Sequence, residues 1–347
     1  MLTWRLLTLG ISVWFLVASG LAAAAPWAIE RLEPPENGFY SKKLNVGGIP
    51  IKGHAAVSDE AMREAAARIT RLLHNMPQAW SNLAAAGAEL HLIGKDQSMV
   101  DLPDYAEWKG KKFEGDLSLD QRARGLGGLV ASCGEDNLLS LPSDHYRDHR
   151  DICSHEFAHT LMEYGLGQEV WRRIREQYRR STDQGLWKTM YAATNEKEFF
   201  AELTMWYFGT RGDYGKHRPP PRPGREWLAQ YDPGAFKLLD DLYSGRIPVP
   251  EVRGRQLDLL PPAREKNLRS QSSAEPTSIA AHNLRAGRVE VYWLDFSGHR
   301  KKYGEINPGG RWSMSTFATH PWVFVDELGA VIGVAVAETS PGQVELR

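Results

Sequence analysis

One stretch, Asp151–Tyr164, limits what this chain can fold into more than any other; it reads D-I-C-S-H-E-F-A-H-T-L-M-E-Y. Inside it His155, Glu156 and His159 form H-E-x-x-H. Wound as a helix, the stretch puts the two histidines one turn apart on the same face. Two imidazoles stacked that way can bind one zinc ion. Glu156, beside them, can take a proton from a zinc-bound water, whose pKa falls from roughly 15.7 to about 7. Asp151 is suited to cap the helix, with its charge at the positive end of the helix dipole. Phe157, Ala158, Leu161 and Tyr164 form an apolar stripe, and Gly165 and Gly167 follow as stop signals.

A catalytic zinc needs a third protein ligand and an open position. The stretch Tyr191–Tyr207, Y-A-A-T-N-E-K-E-F-F-A-E-L-T-M-W-Y, offers two candidates. Asn195 can cap a helix there, with Glu198 placed to close a capping box. Glu198 and Glu202 lie one turn apart, Ala201 keeps that face narrow, and Phe199, Phe200, Leu203 and Trp206 can bury the opposite side. His145 and His149 also precede the metal helix, but neither is helically phased with His155 and His159. Two histidines, one glutamate and a water make a recognised catalytic zinc set.

H-E-F-A-H followed by N-E-K-E-F-F-A-E resembles the metalloprotease domain of anthrax lethal factor and its relatives, a gluzincin family. The resemblance implies an α+β zincin-like metallopeptidase domain over residues 26–260. It implies His155, His159 and Glu198 as ligands of Zn2+, Glu156 as general base, and Glu202 as the group that orients a ligand. It also implies Tyr191, seven residues before Glu198, as the side chain that stabilises the tetrahedral oxyanion or assists the leaving group. The large substrate-binding and delivery domains of lethal factor have no counterpart here, so neither its substrate nor its toxicity carries over.

Residues 1–25 read as a secretory signal peptide: Arg5, an apolar run from Leu6 to Ala18, then L-A-A-A-A before Pro26. The expected location is secreted or periplasmic, an oxidising compartment. Cys133 and Cys153, the only cysteines, are expected to pair as one disulfide tying the loop before the metal helix to its first turn; two buried free thiols are the alternative. The formal net charge of −1 gives no strong attraction to nucleic acid, so the expected partner is a peptide or protein substrate.

Further along, Ser58 can cap a helix in which Met62, Ala65, Ile69, Leu72 and Met76 recur at helical spacing. Glu89–Ile93 alternates as a half-buried strand does. Leu90–Ile93 and Gly125–Ser132 are the two candidates for a strand that pairs with an extended substrate. Arg218–Gly224, R-P-P-P-R-P-G, reads as a surface loop, and residues 261–278 as a Pro/Ser-containing linker.

From residue 279 to 347 the chain turns β-rich and aromatic, as a small all-β sandwich. V-Y-W-L-D-F-S-G, K-Y-G, N-P-G-G-R and T-H-P-W-V-F-V-D resemble the β-domain of the von Hippel–Lindau tumour suppressor. In that family an aromatic, hydroxyl-lined pocket holds a hydroxyproline, and the matching positions are Trp293, Tyr303, Thr316, Phe317, His320 and Trp322. The family has serine where Thr316 stands and tyrosine where Phe317 stands. Its elongin-binding helical domain is missing, so no ubiquitin-ligase role follows. Two functions are therefore expected in competition: an exported zinc endopeptidase with a peptide-binding accessory domain, or a proline- or hydroxyproline-binding protein whose zinc site is structural or vestigial.

Overall fold

The computed structural model describes residues 27–146, 148–252, 255–273 and 275–347. The expected signal peptide lies outside them. Among the described residues no helix is long and apolar enough to cross a membrane.

A six-stranded mixed sheet organises the first part of the chain. Its strands are β1 (Ile29–Glu36), β2 (Tyr40–Val46), β3 (Ile49–Gly53), β4 (Glu89–Ile93), β7 (Gly125–Leu126) and β8 (Val130–Gly134), in the order β1-β2-β3-β4-β8-β7. The pairs β3/β4 and β4/β8 are parallel and the others antiparallel, so the short β7 forms one edge. Helices α1 (Asp59–Leu73) and α2 (Pro77–Ala86) link β3 to β4, the crossover that a parallel pair needs. The Ser58 side chain caps α1 by accepting from the Ala61 amide, and Met62, Ala65, Ile69 and Leu72 are buried. A small hairpin, β5 (Lys112–Glu114) and β6 (Leu117–Ser118), and one helical turn, α3 (Leu119–Arg122), precede the edge strand.

After β8 come α4 (Glu135–Leu138) and α5 (Ile152–Thr160), the helix of the H-E-x-x-H motif. Asp151 caps α5 through the Ser154 amide, and Arg68 and Arg71 of α1 hold the same carboxylate at 2.8 and 3.1 Å. Every residue of α5 is buried except Glu156 and His159. The helix is thus enclosed almost all round, not only along an apolar stripe, and is open on the line that carries the motif. It runs on as a π-helical turn, Leu161–Gly165, into α6 (Gly167–Asp183), which starts at Gly167 with a φ of 75°. Helix α7 (Glu196–Tyr207) crosses α5 with all of Phe199–Tyr207 buried, and α8 (Arg225–Tyr231) and α9 (Pro233–Tyr243) close the core behind it.

Two four-stranded sheets make the C-terminal domain. One has β13 (Arg311–Phe317), β10 (Pro276–Asn283), β16 (Gly342–Leu346) and β9 (Arg255–Gln256); the other has β12 (Arg300–Ile306), β11 (Val289–Leu294), β14 (Pro321–Asp326) and β15 (Val331–Val336), each in that spatial order. They close on a shared core that includes Ile279, Val291, Trp322, Phe324 and Val344. The expected linker 261–278 is corrected here. Leu257 is buried in this core, Leu260 and Leu268 pack against the second sheet, and 276–278 already belong to β10. The apolar residues scattered through a polar stretch give it a packed place in the domain.

The expected disulfide is also corrected. Cys133 and Cys153 are buried free thiols. They form a hydrogen-bonded pair where β8 meets the first turn of α5, and burial pushes the Cys133 thiol well above its ordinary value. The thiolate is the form that reacts, so this environment makes Cys133 a poor nucleophile.

Candidate metal centre

The crossing of α5 and α7 brings the motif and Glu198 together. His155 Nε2 lies 3.2 Å from His159 Nε2 and 3.2 Å from Glu198 Oε2, and His159 Nε2 lies 3.4 Å from the same oxygen. Three donor atoms therefore stand in a near-equilateral triangle. A tetrahedral zinc ion with ligands at about 2.0–2.1 Å spaces its donors about 3.3–3.4 Å apart, so the donor set fits that ion. A Glu156 oxygen also lies within 4.8 Å of the two histidine nitrogens. Glu198, not Glu156, stands at the distances that donors to one shared ion would have.

The charges around the triangle favour a cation. Desolvation pulls the His155 imidazole down, but the Glu198 hydrogen bond and the charges of Glu156 and Glu202 outweigh it and hold it at about 9. Desolvation likewise opposes ionisation of Glu198, yet both histidines hold its carboxyl well below the usual range. Glu156 goes the other way. Burial raises its carboxyl, against the pull of the two histidines and a backbone hydrogen bond from Gly127.

Glu202 is 2% exposed and stands behind His155, with Oε1 3.4 Å from Nδ1. That nitrogen has no hydrogen bond of its own. A carboxylate on Nδ1 favours the tautomer with the proton there, which leaves the Nε2 lone pair for the triangle. Glu202 Oε2 accepts the Asp213 amide at 2.5 Å, and Asp213 Oδ2 accepts the Tyr191 amide at 2.7 Å. Gly212 is required at this approach, since a Cβ there would sit 2.2 Å from Glu202 Oε2.

Tyr191 closes the same cleft, its ring stacked over His155 with centroids 6.4 Å apart. Its hydroxyl oxygen accepts from Arg122 Nη2 at 3.2 Å. The cleft has a volume of about 190 Å3 and is lined by the three donors together with Glu156, Tyr191 and Arg122, among others. The sequence reading missed Arg122 and Asp213, and took the glycines of G-L-G-G at 125–128 only as part of a candidate strand. A Cβ on Gly127 would come within 2.6 Å of His159 Cβ, so the chain just past edge strand β7 runs hard against α5. Only that run of glycines could have signalled the contact. Of the two candidate strands for pairing with an extended substrate, β7 lies at the cleft and β4 is internal to the sheet. His145 and His149 are exposed and do not line the cleft.

The six positions singled out in the C-terminal domain also come together. Ring contacts run from Phe317 to His320 (5.7 Å), His320 to Trp293 (5.4 Å), Trp293 to Tyr303 (6.1 Å) and Tyr303 to Trp322 (5.3 Å). Thr316 Oγ1 is 3.2 Å from His320 Nδ1. Phe296, which the sequence reading did not include, packs on Trp293 and His320 and is 57% exposed. Tyr303 and Phe317 are exposed as well. Trp322 is buried in the domain core, and the other rings form an aromatic surface over a buried histidine–threonine pair.

No curated protein matches the chain. A family model, the VHL beta domain, matches residues 268–331, so the C-terminal β-sheet domain with its aromatic surface is similar to that domain.

Proposed function

We propose that the chain is a zinc-dependent endopeptidase whose C-terminal domain captures proline-containing peptides. The observation that carries the first half is the triangle of His155 Nε2, His159 Nε2 and Glu198 Oε2 beside the Glu156 carboxylate. A zinc ion held by these residues would polarise a carbonyl and make hydroxide available near neutral pH. Glu156, raised by burial, is suited to accept a proton from the attacking water and pass it to the leaving amine. Tyr191 would donate its hydroxyl proton to the oxygen on which charge develops. Glu202 would keep His155 in the ligating tautomer.

The similarity to the VHL beta domain supports peptide recognition by the C-terminal domain. Phe317 lacks the hydroxyl of the family's tyrosine, and Thr316 keeps the one of its serine. A ring of proline or hydroxyproline is the ligand this surface suits.

The test is zinc content and proteolysis in parallel. Purified protein should hold about one zinc per chain and cleave an unstructured protein substrate. Glu198→Ala should lose the metal, whereas Glu156→Gln should keep it and lose hydrolysis. Zinc-dependent turnover by Glu156→Gln would remove the proposed base. Stoichiometric zinc with no hydrolysis by the unmodified chain, beside tight binding of proline peptides lost in Trp293→Ala, would favour the competing reading of a binding protein.

A further inference from the structure

Arg122 ends α3 on the rim of the cleft. One side of its guanidinium serves Tyr191, with Nη2 donating to the phenol oxygen and the ring centroid 5.9 Å away. The Nε side meets Glu114 of the β5–β6 hairpin. That pair is open to water, with the Glu114 side chain 63% exposed and Arg122 35% exposed. Exposed ion pairs contribute little net stability, so one carboxylate can replace another there with little penalty. The other arginine lining the cleft, Arg150, is more tightly engaged: its Nε lies 2.6 Å from Asp148 and its guanidinium covers Tyr146. Both members of the Arg150–Asp148 pair are less exposed than those at Arg122.

Among the described residues of the cleft, Arg122 is thus the cation whose partner exchanges most readily. Its position decides what it can meet. Under the peptidase reading, the carbonyl of the scissile bond lies against the Tyr191 hydroxyl, which Arg122 itself holds. Neighbouring Cα atoms of a substrate follow at about 3.8 Å intervals, so the nearest side chains fall within reach of the guanidinium. A planar fork of N–H groups recognises a carboxylate by two parallel hydrogen bonds.

We propose that Arg122 determines specificity, taking the carboxylate of an aspartate or glutamate within two residues of the scissile bond while Glu114 swings aside. The inference rests on the peptidase reading and names the substrate class of that site. Glu114 acts as a stand-in for the substrate carboxylate and keeps the guanidinium spread across the cleft mouth. A lysine in the same substrate position meets a like charge and is rejected.

The test uses the full zinc-loaded chain and short internally quenched peptides that differ by Glu, Gln or Lys at one position flanking the cleaved bond. At one such position, kcat/KM for Glu should exceed that for Gln by about tenfold, about 1.4 kcal/mol, with Lys poorest. Arg122→Gln should bring the Glu/Gln ratio to about one. It should also slow both peptides, because Tyr191 loses its donor; the ratio therefore reports recognition, and the common slowing reports positioning. Glu114→Gln should keep the ratio or widen it. Binding of the same peptides to Glu156→Gln protein, followed by fluorescence anisotropy, supplies a readout that needs no turnover. Equal affinities and equal kcat/KM for Glu and Gln peptides at every position would overturn the inference while leaving the peptidase standing. Glu-dependent binding abolished by Arg122→Gln, with no cleavage by the unmodified protein, would sink the peptidase reading and leave acid recognition in place.

Discussion

Under the proposed function, Glu202 offers the cleanest separation between building the fold and tuning a bound metal. Its carboxylate is 2% exposed and has two tasks: Oε1 faces His155 Nδ1 at 3.4 Å, and Oε2 accepts the Asp213 amide at 2.5 Å. Glu202→Ala removes both. The half-buried Asp213 amide is then left without its acceptor, at about 1–3 kcal/mol of stability. Loss of the carboxylate behind His155 is expected to weaken zinc binding by roughly 10–100-fold, which is about 1.4–2.7 kcal/mol. Glu202→Gln divides the effects. A side-chain carbonyl can still accept from Asp213, but the negative charge on Nδ1 is gone. Zinc affinity, measured by competition with a chromophoric chelator, should fall by about the same factor in both variants. Thermal unfolding of the metal-free proteins should separate them, with Ala well below the parent and Gln close to it. Unchanged zinc affinity in a folded Gln variant would refute the role assigned to the carboxylate.

Tyr191→Phe keeps the ring over His155 and removes the hydroxyl. If that group meets the developing oxyanion, kcat should fall on the order of 10²–10³-fold with zinc affinity unchanged, and a loss appearing only in KM would contradict it. His91 gives a pH prediction for stability. It lies between Asp104 and Glu89, at 2.8 and 2.9 Å. Burial alone would lower it, but the two carboxylates hold it up at about 9 against an ordinary value of 6.5. Both carboxyls, which burial alone would raise, are held down at about 2 mainly by His91. The His91 contribution, on the order of 3 kcal/mol, should be fully present below about pH 6.5 and be lost as pH rises through about 9. The carboxylate contribution should be present above about pH 4.5 and fade as pH falls toward about 2. Denaturant unfolding should therefore give a plateau between those limits, and His91→Ala should flatten its alkaline side; an unchanged profile in that variant would contradict the network.

The legible part of the site was the part fixed by local geometry. His155 and His159 meet because four residues make about one helical turn, whatever the rest of the chain does. The helix that carries Glu198 was legible through Asn195, which does cap α7, accepting from the amides of Lys197 and Glu198; the expected capping box does not close, because the Glu198 carboxylate turns to the two histidines. Arg122 and Asp213 were not, since Arg122 ends the one-turn α3 and Asp213 lies in a loop behind Glu202, and the place of both depends on the assembled sheet and helices. Gly127 left a trace in composition, but nothing local says that the neighbour it must clear is His159. In the C-terminal domain the strands read well where turns bracketed them. The start of the domain did not, because Leu257, Leu260 and Leu268 sit among prolines and charges and show neither a helical nor a strand period.

That earlier start changes how the two domains relate. Asn82 of α2 is 2% exposed and joins three segments. Its Nδ2 donates to the carbonyls of Gly165, at the end of the π-helical turn that continues the metal helix, and of Pro250 at 2.8 and 2.9 Å; its Oδ1 accepts the Val252 amide at 2.9 Å. The chain leaving the first domain is therefore pinned to the C-terminal end of the metal helix. Close by, the Tyr164 hydroxyl donates to Ser313 Oγ of β13 at 3.1 Å, and the same strand carries Thr316 and Phe317 at its other end. Under the proposed function, a peptide held on the aromatic surface would be presented from this junction, and its local concentration at the cleft would depend on that geometry being kept. Asn82→Ala removes these three hydrogen bonds and the one that Oδ1 accepts from Gln78 Nε2 at 3.0 Å, and leaves a buried carbonyl unpaired, which should destabilise the chain by on the order of 3 kcal/mol. Under native conditions the expected readout is faster proteolytic nicking across residues 246–256, with the zinc affinity of the intact chain little changed. An Asn82→Ala protein that resists nicking as the parent does would mean that packing alone fixes the junction, through Pro250 and Val252, the side chains that lie closest to Gly167.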